Sequence, residues 1–518
     1  MGIANSPDIL PHAERLLPEV QARLQSIQEQ TSEAVRKVVL EVVFADTEIK
    51  GKFEGMEIRG TSMCCVVAKR IMEVLGHDPN SIGLMAIGDV TLPDFIRPTV
   101  DKIILERAPQ IFAEITRSEE MDHNYDLMAQ GYKPAREMAL NKWDRSYKFS
   151  DHEVEEQHLD PKAPGGTRTE RRNLKEVLAT NSTIMPGGMA ALKLIVDSLN
   201  EEADNQRLTK RYIYPDNSFG TWKSIVNKSS KKKIPKKIID ELPQELQQKF
   251  SDRDLTEFHQ LKTEQADNLQ LTPEAVHKFY HDHPAEGNSD TWYITPVSNP
   301  SGTKISGENL LQTCEAIIQL NPKATIILDC VYLRTLEVEQ AQDIICGVIG
   351  NSAIMDRAIF IESLSKTHGI TGHRVGMYFS QNKKIFNMIQ NSDTTFTAGH
   401  GHFLSALMMA FMEGDEATDE KFKELHRFWA RERKGLFNYL VGSGKYNNLF
   451  EEQQDHITPE QIDDPLGLYL LLKLKDGVTP MQVWTETGSI GVPTKLDTGL
   501  YMRFSVGMLT EETYASVS

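Results

Sequence analysis

Hydrophobic and polar positions alternate with two different periods along the chain. Between residues 10 and 75, apolar side chains recur every three or four positions among Glu, Gln, Arg and Lys, which predicts helices. From about residue 130 to residue 400, short apolar runs such as 291–295, 325–329 and 358–361 alternate with helical stretches. Because such runs are typical of buried strands linked by helices, we expect a mainly parallel sheet covered by helices.

Changes in this pattern also predict the organisation of the chain. A lysine-rich and then glutamine-rich segment, for which we expect helices, interrupts the alternating region. A further apolar run at 468–473 predicts a strand in a smaller C-terminal unit. The parts that we expect are a helical N-terminal extension (1–79), the N-terminal part of a small domain (80–129), a large domain (130–400) with the insertion (228–275), and the C-terminal part of the small domain (401–518).

Composition limits the partners that we expect. The chain has 518 residues and a net charge of −17, whereas nucleic acid and anionic membranes attract positive charge, so we expect neither as a partner. The lysine cluster at 228–237 is interpreted as a solvated face because no aromatic side chains interleave with it. The five cysteines form no CxxC pair, which is typical of reduced thiols and predicts a cytoplasmic protein.

The strongest chemical signal is a lysine directly after a predicted strand. The segment 363–376 reads Ser-Leu-Ser-Lys-Thr-His-Gly-Ile-Thr-Gly-His-Arg-Val-Gly and contains Lys366. A lysine held beside a packed core can lose its proton and form an imine with an aldehyde. The hydroxyls of Ser363 and Ser365 and the guanidinium of Arg374 are groups that bind phosphate. This combination predicts a Schiff-base lysine beside a phosphate site, which is how pyridoxal phosphate is held.

The same segment resembles the lysine signature of fold type I pyridoxal-phosphate enzymes, in particular the class I and II aminotransferases. That resemblance covers roughly residues 80–515 and implies an α/β fold: a mainly parallel seven-stranded sheet flanked by helices, with a smaller α+β domain. It also implies pyridoxal 5'-phosphate as cofactor, an amino acid and a 2-oxo acid as substrates, a homodimer and no metal. The signature Ser-x-Ser-Lys followed by Gly-x-Arg-x-Gly is matched at Ser363, Ser365, Lys366, Gly372, Arg374 and Gly376.

Two further segments resemble the parts of the family's site that hold the phosphate and the ring. Gly187, Gly188 and Met189 form a glycine turn that opens a helix, and in the family this turn binds the phosphate through backbone N–H groups. Phe219 matches an aromatic residue that stacks on the pyridine ring. Three residues later many members have a histidine that supports the ring aspartate, and this chain has Trp222.

The groups around the ring and the substrate carboxylate follow in the family's order. Asn299, in an Asn-Pro-x-Gly turn, and Tyr332 would donate to the phenolic oxygen of the cofactor, and Asn299 would also line the substrate site. Asp329 ends a predicted parallel strand and would keep the pyridine nitrogen protonated. Arg503 would bind the substrate α-carboxylate through two parallel hydrogen bonds.

Two earlier positions complete the resemblance. Gly88 matches the family's glycine beside the substrate carboxylate, and Tyr125 matches a tyrosine that reaches the phosphate of the neighbouring subunit. With Lys366 as general base and Asp329 and Tyr332 as its catalytic partners, the resemblance implies an aminotransferase.

Other reactions use the same set of residues, so the function stays open at this point. The alternatives are a pyridoxal-phosphate-dependent lyase or decarboxylase, similar to aspartate 4-decarboxylase or to C–S lyases, and a non-catalytic interaction protein that binds the cofactor. The need for an oxo-acid acceptor separates an aminotransferase from a lyase.

Overall fold

The computed structural model describes most of the chain, and its strands form one large sheet and three smaller ones. Residues described are 9–27, 30–52, 57–85, 90–117, 130–159, 167–206, 208–230, 243, 256–397, 402–457 and 468–514. Their strands are β1 Gly83–Leu84, β2 Glu153–Leu159, β3 Thr167–Asn173, β4 Ser182–Met185, β5 Thr209–Pro215, β6 Thr256–Leu261, β7 Asn288–Ile294, β8 Thr325–Asp329, β9 Ala358–Ser363, β10 Gly376–Phe379, β11 Tyr469–Lys473, β12 Ser489–Ile490, β13 Val492–Leu496 and β14 Gly499–Ser505.

Helices cover the sheet and form the N-terminal region. None of the helices in the described ranges is long and apolar enough to cross a membrane. The α-helices of these ranges are α1 Leu10–Leu24, α2 Ser32–Ala45, α3 Thr47–Lys52, α4 Glu57–Val74, α5 Arg97–Lys102, α6 Ala108–Arg117, α7 Lys133–Tyr147, α8 Leu174–Thr180, α9 Gly188–Gln206, α10 Gly220–Ser230, α11 Pro273–Asp282, α12 Gly307–Leu320, α13 Val338–Ile349, α14 Ser352–Met355, α15 Leu364–Thr367, α16 Lys383–Thr397, α17 His402–Met412, α18 Glu416–Phe437 and α19 Pro480–Thr487.

The large sheet is mainly parallel, as the alternating pattern predicts. Within the described residues it has seven strands in the order β4-β10-β9-β8-β7-β5-β6. The pairs from β6 to β9 are parallel, and β10 runs antiparallel to both β9 and β4. The prediction of an α/β protein built on a mainly parallel seven-stranded sheet is therefore confirmed.

Alternation along the central strands separates two layers of core. On β8 and β9, Ile327 and Ile359 belong to the cluster that contains Leu192 of α9 and Trp222 of α10. Their neighbour Phe360 belongs to the larger cluster on the other face. Because successive strand residues point to opposite faces, a continuous apolar run is needed where helices cover both. This is why these strands read as unbroken apolar segments.

Side-chain caps fix where several helices of this layer begin. The Thr272 hydroxyl accepts a hydrogen bond from the Ala275 N–H at the start of α11, where Pro273 occupies the first helical position. The Ser306 hydroxyl does the same for α12. Such caps satisfy backbone donors that have no acceptor inside the helix, so they define the strand-to-helix turns.

Two of the smaller sheets involve the C-terminal half of the chain, and the third is the antiparallel pair β2–β3. In the described part of the chain, β11, β14 and β13 form an antiparallel sheet, which confirms the strand predicted at 468–473. β1 pairs in parallel with β12, so the segment after the N-terminal helices is tied to the C-terminal unit. Phe44 of α2 packs against Trp484 of α19, with ring centres 4.7 Å apart.

The insertion departs from the helical structure that its composition suggested. Its residues 256–261 form β6, the edge strand of the large sheet next to β5, so the helical prediction is wrong there. Phe258 of this strand stacks on Tyr212 with ring centres 6.3 Å apart. A polar edge strand carries little periodic signal in the sequence, so the strand was not predicted. Pairing with β5 determines the conformation of this segment. Residues 231–242 and 244–255 lie outside the described residues.

Candidate active site

A cavity of about 440 Å³ opens at the carboxyl ends of β7, β8 and β9. Strand register brings these ends together, since Ile294 pairs with Leu328 and Asp329 pairs with Ile361. Clefts of parallel sheets bind ligands at this edge. The lining residues are Gly188, Met189, Leu192, Phe219, Thr295, Asn299, Asp329, Val331, Tyr332, Ser363, Ser365, Lys366, Thr371, Gly372, Arg374, Tyr469 and Arg503.

The glycine turn between β4 and α9 approaches the cavity closely. Gly187 has φ +81°, and a Cβ there would come within 2.8 Å of a guanidinium nitrogen of Arg374. A Cβ on Gly188 would lie 3.2 Å from Val331. The Gly187 N–H donates to the Met185 carbonyl at 2.7 Å, and Gly187 is not among the lining residues. Gly188 and Met189 therefore present the first-turn amides of α9 to the cavity.

Two buried serines and one arginine lie at the same end of the cavity. The Ser363 hydroxyl caps α15 by accepting from the Ser365 N–H at 3.1 Å, and it lies 2.9 Å from the Ser365 hydroxyl. Arg374 has left-handed backbone angles, and its Nη1 donates to the Thr371 carbonyl at 3.1 Å. Because the Ser363 hydroxyl also donates to the Val375 carbonyl at 2.9 Å, the Ser365 hydroxyl and the Arg374 guanidinium are the side-chain donors of this group that remain for an anion.

Lys366 lines the same cavity as these side chains and Asp329. It belongs to the single helical turn α15 that follows β9, and its half-buried side chain lines the cavity. The strand that precedes it is fully buried, so the backbone of the lysine is anchored by the core of the sheet. Phe219, half-buried at the start of α10, lines the same cavity.

Asp329 is held by two donors that the sequence analysis did not identify. Its Oδ2 accepts from the Tyr293 hydroxyl at 2.6 Å, and its Oδ1 accepts from the Val331 N–H at 3.3 Å. The pKa of Asp329 is raised to about 6, because burial and the charge of Glu362, which raise it, outweigh the two donors, which lower it. One signal for Tyr293 was its position near the carboxyl end of β7, two residues before the lining residue Thr295.

Trp222, at the family's histidine position, does not hydrogen-bond to Asp329. Instead its indole ring stacks on the ring of Tyr293, with centres 4.3 Å apart and planes within 9°. The aspartate thus receives its side-chain hydrogen bond from β7, while α10 contributes an aromatic face.

A second network joins Asn299, Tyr332, Tyr469 and Arg503. The Nη1 of Arg503 donates to Asn299 Oδ1 at 3.1 Å, and Asn299 Nδ2 donates to the Tyr332 hydroxyl at 3.4 Å. The Tyr332 and Tyr469 hydroxyls lie 2.9 Å apart. Burial and the neighbouring Tyr469 hold the pKa of Tyr332 well above its usual range, so this phenol keeps its proton.

Arg503 is buried, with 8% of its surface exposed, and its guanidinium lies 5.0 Å from the centre of the Tyr469 ring. Leu471 is the partner of Arg503 in the β11–β14 ladder, so Tyr469 is its diagonal neighbour on the same face. Tyr469 was missed because this neighbourhood depends on register between strands that are distant in sequence. The predicted residues Gly88 and Tyr125 lie outside the described residues.

The raised pKa of Asp329 predicts a pH dependence of stability in the cofactor-free protein. The pKa of Asp329 is about 6 in the folded chain and near 3.8 in the unfolded chain, so the folded chain binds this proton more tightly. The contribution of Asp329 to the free energy of unfolding therefore falls as pH rises from about 4 to about 6. The free energy of unfolding of wild type minus that of Asp329→Asn should fall by about 2 kcal/mol between pH 4 and pH 7. Denaturant titrations at each pH measure this difference, and a constant difference would contradict the assignment.

Comparison with known proteins supports the resemblance that the motifs indicate. The family model described as aminotransferase class I and II matches residues 245–454. No curated protein in the comparison matches the chain. Members of this family use pyridoxal phosphate, so the matched family carries the cofactor that the lysine segment predicts.

Solved structures show the same fold at low sequence identity. A Thermus thermophilus aspartate aminotransferase double mutant is 14% identical with TM-score 0.58, covering 86% of this chain and 92% of that chain. The Thermotoga maritima aspartate aminotransferase is 16% identical with TM-score 0.55, covering 88% and 95%. The Pyrococcus horikoshii aromatic aminotransferase is 14% identical with TM-score 0.56, covering 85% and 94%. The chain therefore has the architecture of fold type I.

Proposed function

We propose that this chain, which resembles the class I and II aminotransferases in fold and family match, is a pyridoxal-phosphate-dependent aminotransferase. It moves an amino group between an L-amino acid and a 2-oxo acid. One observation carries the proposal: Lys366, Asp329, Asn299, Tyr332 and Arg503 line a single cavity although they are spread over about 200 residues of sequence. A purely structural explanation gives no reason for these chemical groups to converge.

The residues of the cavity fit the cofactor of the family. When bound, pyridoxal phosphate supplies an aldehyde that links to an amine and a ring that accepts electrons from the adjacent carbon. The first-turn amides of Gly188 and Met189, the Ser365 hydroxyl and Arg374 suit the cofactor phosphate. The carboxylate of Asp329 suits a protonated ring nitrogen, with Phe219 available to contact the ring.

The chain's own residues would then divide the work of the reaction. Arg503, oriented by its hydrogen bond to Asn299, binds the substrate α-carboxylate through its guanidinium. Nζ of Lys366 removes the α-proton, holds it and returns it. The protonated Tyr332 hydroxyl supplies a hydrogen-bond donor beside Asn299. The low exposure of Arg503, Asn299 and Tyr332 keeps water from competing for their hydrogen bonds.

Dependence on an acceptor tests the proposed reaction. Purified protein supplied with pyridoxal phosphate and an amino acid should form at most one 2-oxo acid per site until a second oxo acid is added. Continuous turnover should begin only with that acceptor. Continuous release of carbon dioxide, ammonia or a thiol without an acceptor would contradict the proposal and favour the lyase or decarboxylase alternative.

We also propose a homodimer, as the resemblance implies. Three exposed apolar side chains support it. Phe112 and Phe403 contact each other with ring centres 5.9 Å apart. Leu105, in the continuous helical stretch 97–117 that also contains Phe112, is 72% exposed. Exposed apolar groups of this kind are typical of association surfaces. Light scattering should give twice the mass of one chain, and a fully active monomer would contradict the proposal.

A further inference from the structure

We infer that Tyr293 is a positioning residue that holds the carboxylate of Asp329 toward the cavity, in place of the histidine that many family members carry at the position of Trp222. This inference rests on the proposed function for its purpose, because Asp329 matters there as the partner of the cofactor ring. Its structural basis is independent of any ligand and consists of the contacts around Asp329.

The two hydrogen bonds of Asp329 fix the plane of its carboxylate. The Tyr293 hydroxyl donates to Oδ2 at 2.6 Å and the Val331 N–H donates to Oδ1 at 3.3 Å, so each oxygen has its own donor. Rotation of the carboxylate would lengthen both bonds. Of the two, the phenol makes the shorter contact and comes from a different strand, so it links β7 to the end of β8.

The phenol ring itself is held by aromatic packing. Tyr293 and Trp222 are both 0% exposed, and their rings lie nearly parallel at 4.3 Å. Tyr212 packs edge-on against Trp222, with ring centres 6.0 Å apart. Because the ring cannot swing away, the direction of the Tyr293 hydroxyl is set by the core. Trp222 thus supports the aspartate through Tyr293.

The charges around Asp329 give the phenol an electrostatic role as well. Glu362 on β9 adds negative charge, although it is itself paired with Arg334 through two contacts of 3.1 and 3.2 Å. The phenol of Tyr332 is also near enough for the charge of Asp329 to raise its pKa. Burial destabilises the ionised carboxylate of Asp329, and the hydrogen bond from the Tyr293 hydroxyl offsets part of that effect. Removal of the hydroxyl would therefore raise the proton affinity of Asp329.

Replacing Tyr293 by phenylalanine tests this role because the ring and its stacking are retained. Tyr212→Phe is the matched control: its buried hydroxyl donates to Asn200 Oδ1 at 2.7 Å in the same aromatic cluster, away from Asp329. Both variants lose one buried hydrogen bond of a tyrosine hydroxyl to a side-chain oxygen. A purely structural role of Tyr293 would therefore give them similar properties.

Binding of pyridoxal phosphate, followed by absorbance and by quenching of tryptophan fluorescence, is the readout. Tyr293→Phe should bind about tenfold more weakly than wild type, since hydrogen bonds to charged groups are among the stronger ones. Tyr212→Phe should bind as wild type does, and Tyr293→His should recover part of the loss by supplying a ring N–H. Equal affinities of Tyr293→Phe and Tyr212→Phe would overturn the inference.

The cofactor-free protein separates failure of the inference from failure of the proposed function. If wild type binds no pyridoxal phosphate, the proposed function fails, and the pH dependence of unfolding then decides the inference. The stability change that titration of Asp329 causes should move to higher pH in Tyr293→Phe and stay in place in Tyr212→Phe. An unmoved profile in Tyr293→Phe would overturn the positioning role.

Discussion

Replacing Lys366 with alanine is expected to lower turnover by at least about 10⁴-fold, the largest effect of any single substitution in the chain. The side chain lines the cavity together with Asp329, Ser363 and Ser365, and it is the lysine that the proposed reaction needs to take up and return a proton. Steady-state formation of 2-oxo acid with saturating pyridoxal phosphate measures the loss. The near-visible absorbance that arises when the cofactor is linked to a lysine should disappear in the same variant.

Two controls make this loss specific. Lys323→Ala removes an exposed lysine just before β8, at the amino end of the same strand that Asp329 ends, and it should retain full turnover. Lys366→Arg keeps a positive charge at the position and should be as inactive as Lys366→Ala, because a guanidinium neither loses its proton nor forms an imine. Transamination by Lys366→Ala over many cycles would show that another residue carries the proton.

The second large effect is expected at Arg503. Its lysine variant keeps the charge but loses the planar pair of donors that matches a carboxylate, so kcat/KM for an amino acid should fall by about 10²- to 10³-fold. The buried position of Arg503 and its hydrogen bond to Asn299 make the orientation of the guanidinium part of this effect. Initial rates over a range of amino acid concentrations measure the change.

A substrate without the carboxylate supplies the control for Arg503. An amine that lacks the α-carboxylate should react poorly with wild type, and Arg503→Lys should lower its rate little further. Cofactor affinity should also be similar in wild type and variant, because Asp329, Ser363 and Ser365 are unchanged. If kcat/KM of the variant falls by the same factor for the amino acid and for the amine, Arg503 acts on the structure of the site and not on the carboxylate.

The site residues that could be predicted from sequence lie shortly after apolar runs or in short turns, both of which can be read from the local sequence. Asp329 and Lys366 each follow an unbroken apolar run, and parallel strands bring such positions to one edge. Asn299 and Gly188 lie in short turns whose residues are constrained locally. For these residues the local sequence is sufficient, because a position close to the carboxyl end of a parallel strand is also a position at the ligand-binding edge of the sheet.

Tyr293 and Tyr469 could not be predicted in the same way. Tyr293 reads as one apolar position within a buried strand, and only the pairing of β7 with β8 shows that its hydroxyl reaches Asp329. Tyr469 reaches the cavity because β11 pairs with β14 in one particular register. Register between distant strands is set by tertiary packing, which a single sequence does not display.

The absorbance spectrum of the purified full chain tests the central claim most directly. With pyridoxal phosphate added, the account predicts a band near the visible edge that an amino acid converts to the amine form of the cofactor and that an oxo acid then restores. A band that returns without any oxo acid would contradict transamination. The absence of any band after cofactor is added would contradict the assignment of the cavity as a pyridoxal-phosphate site.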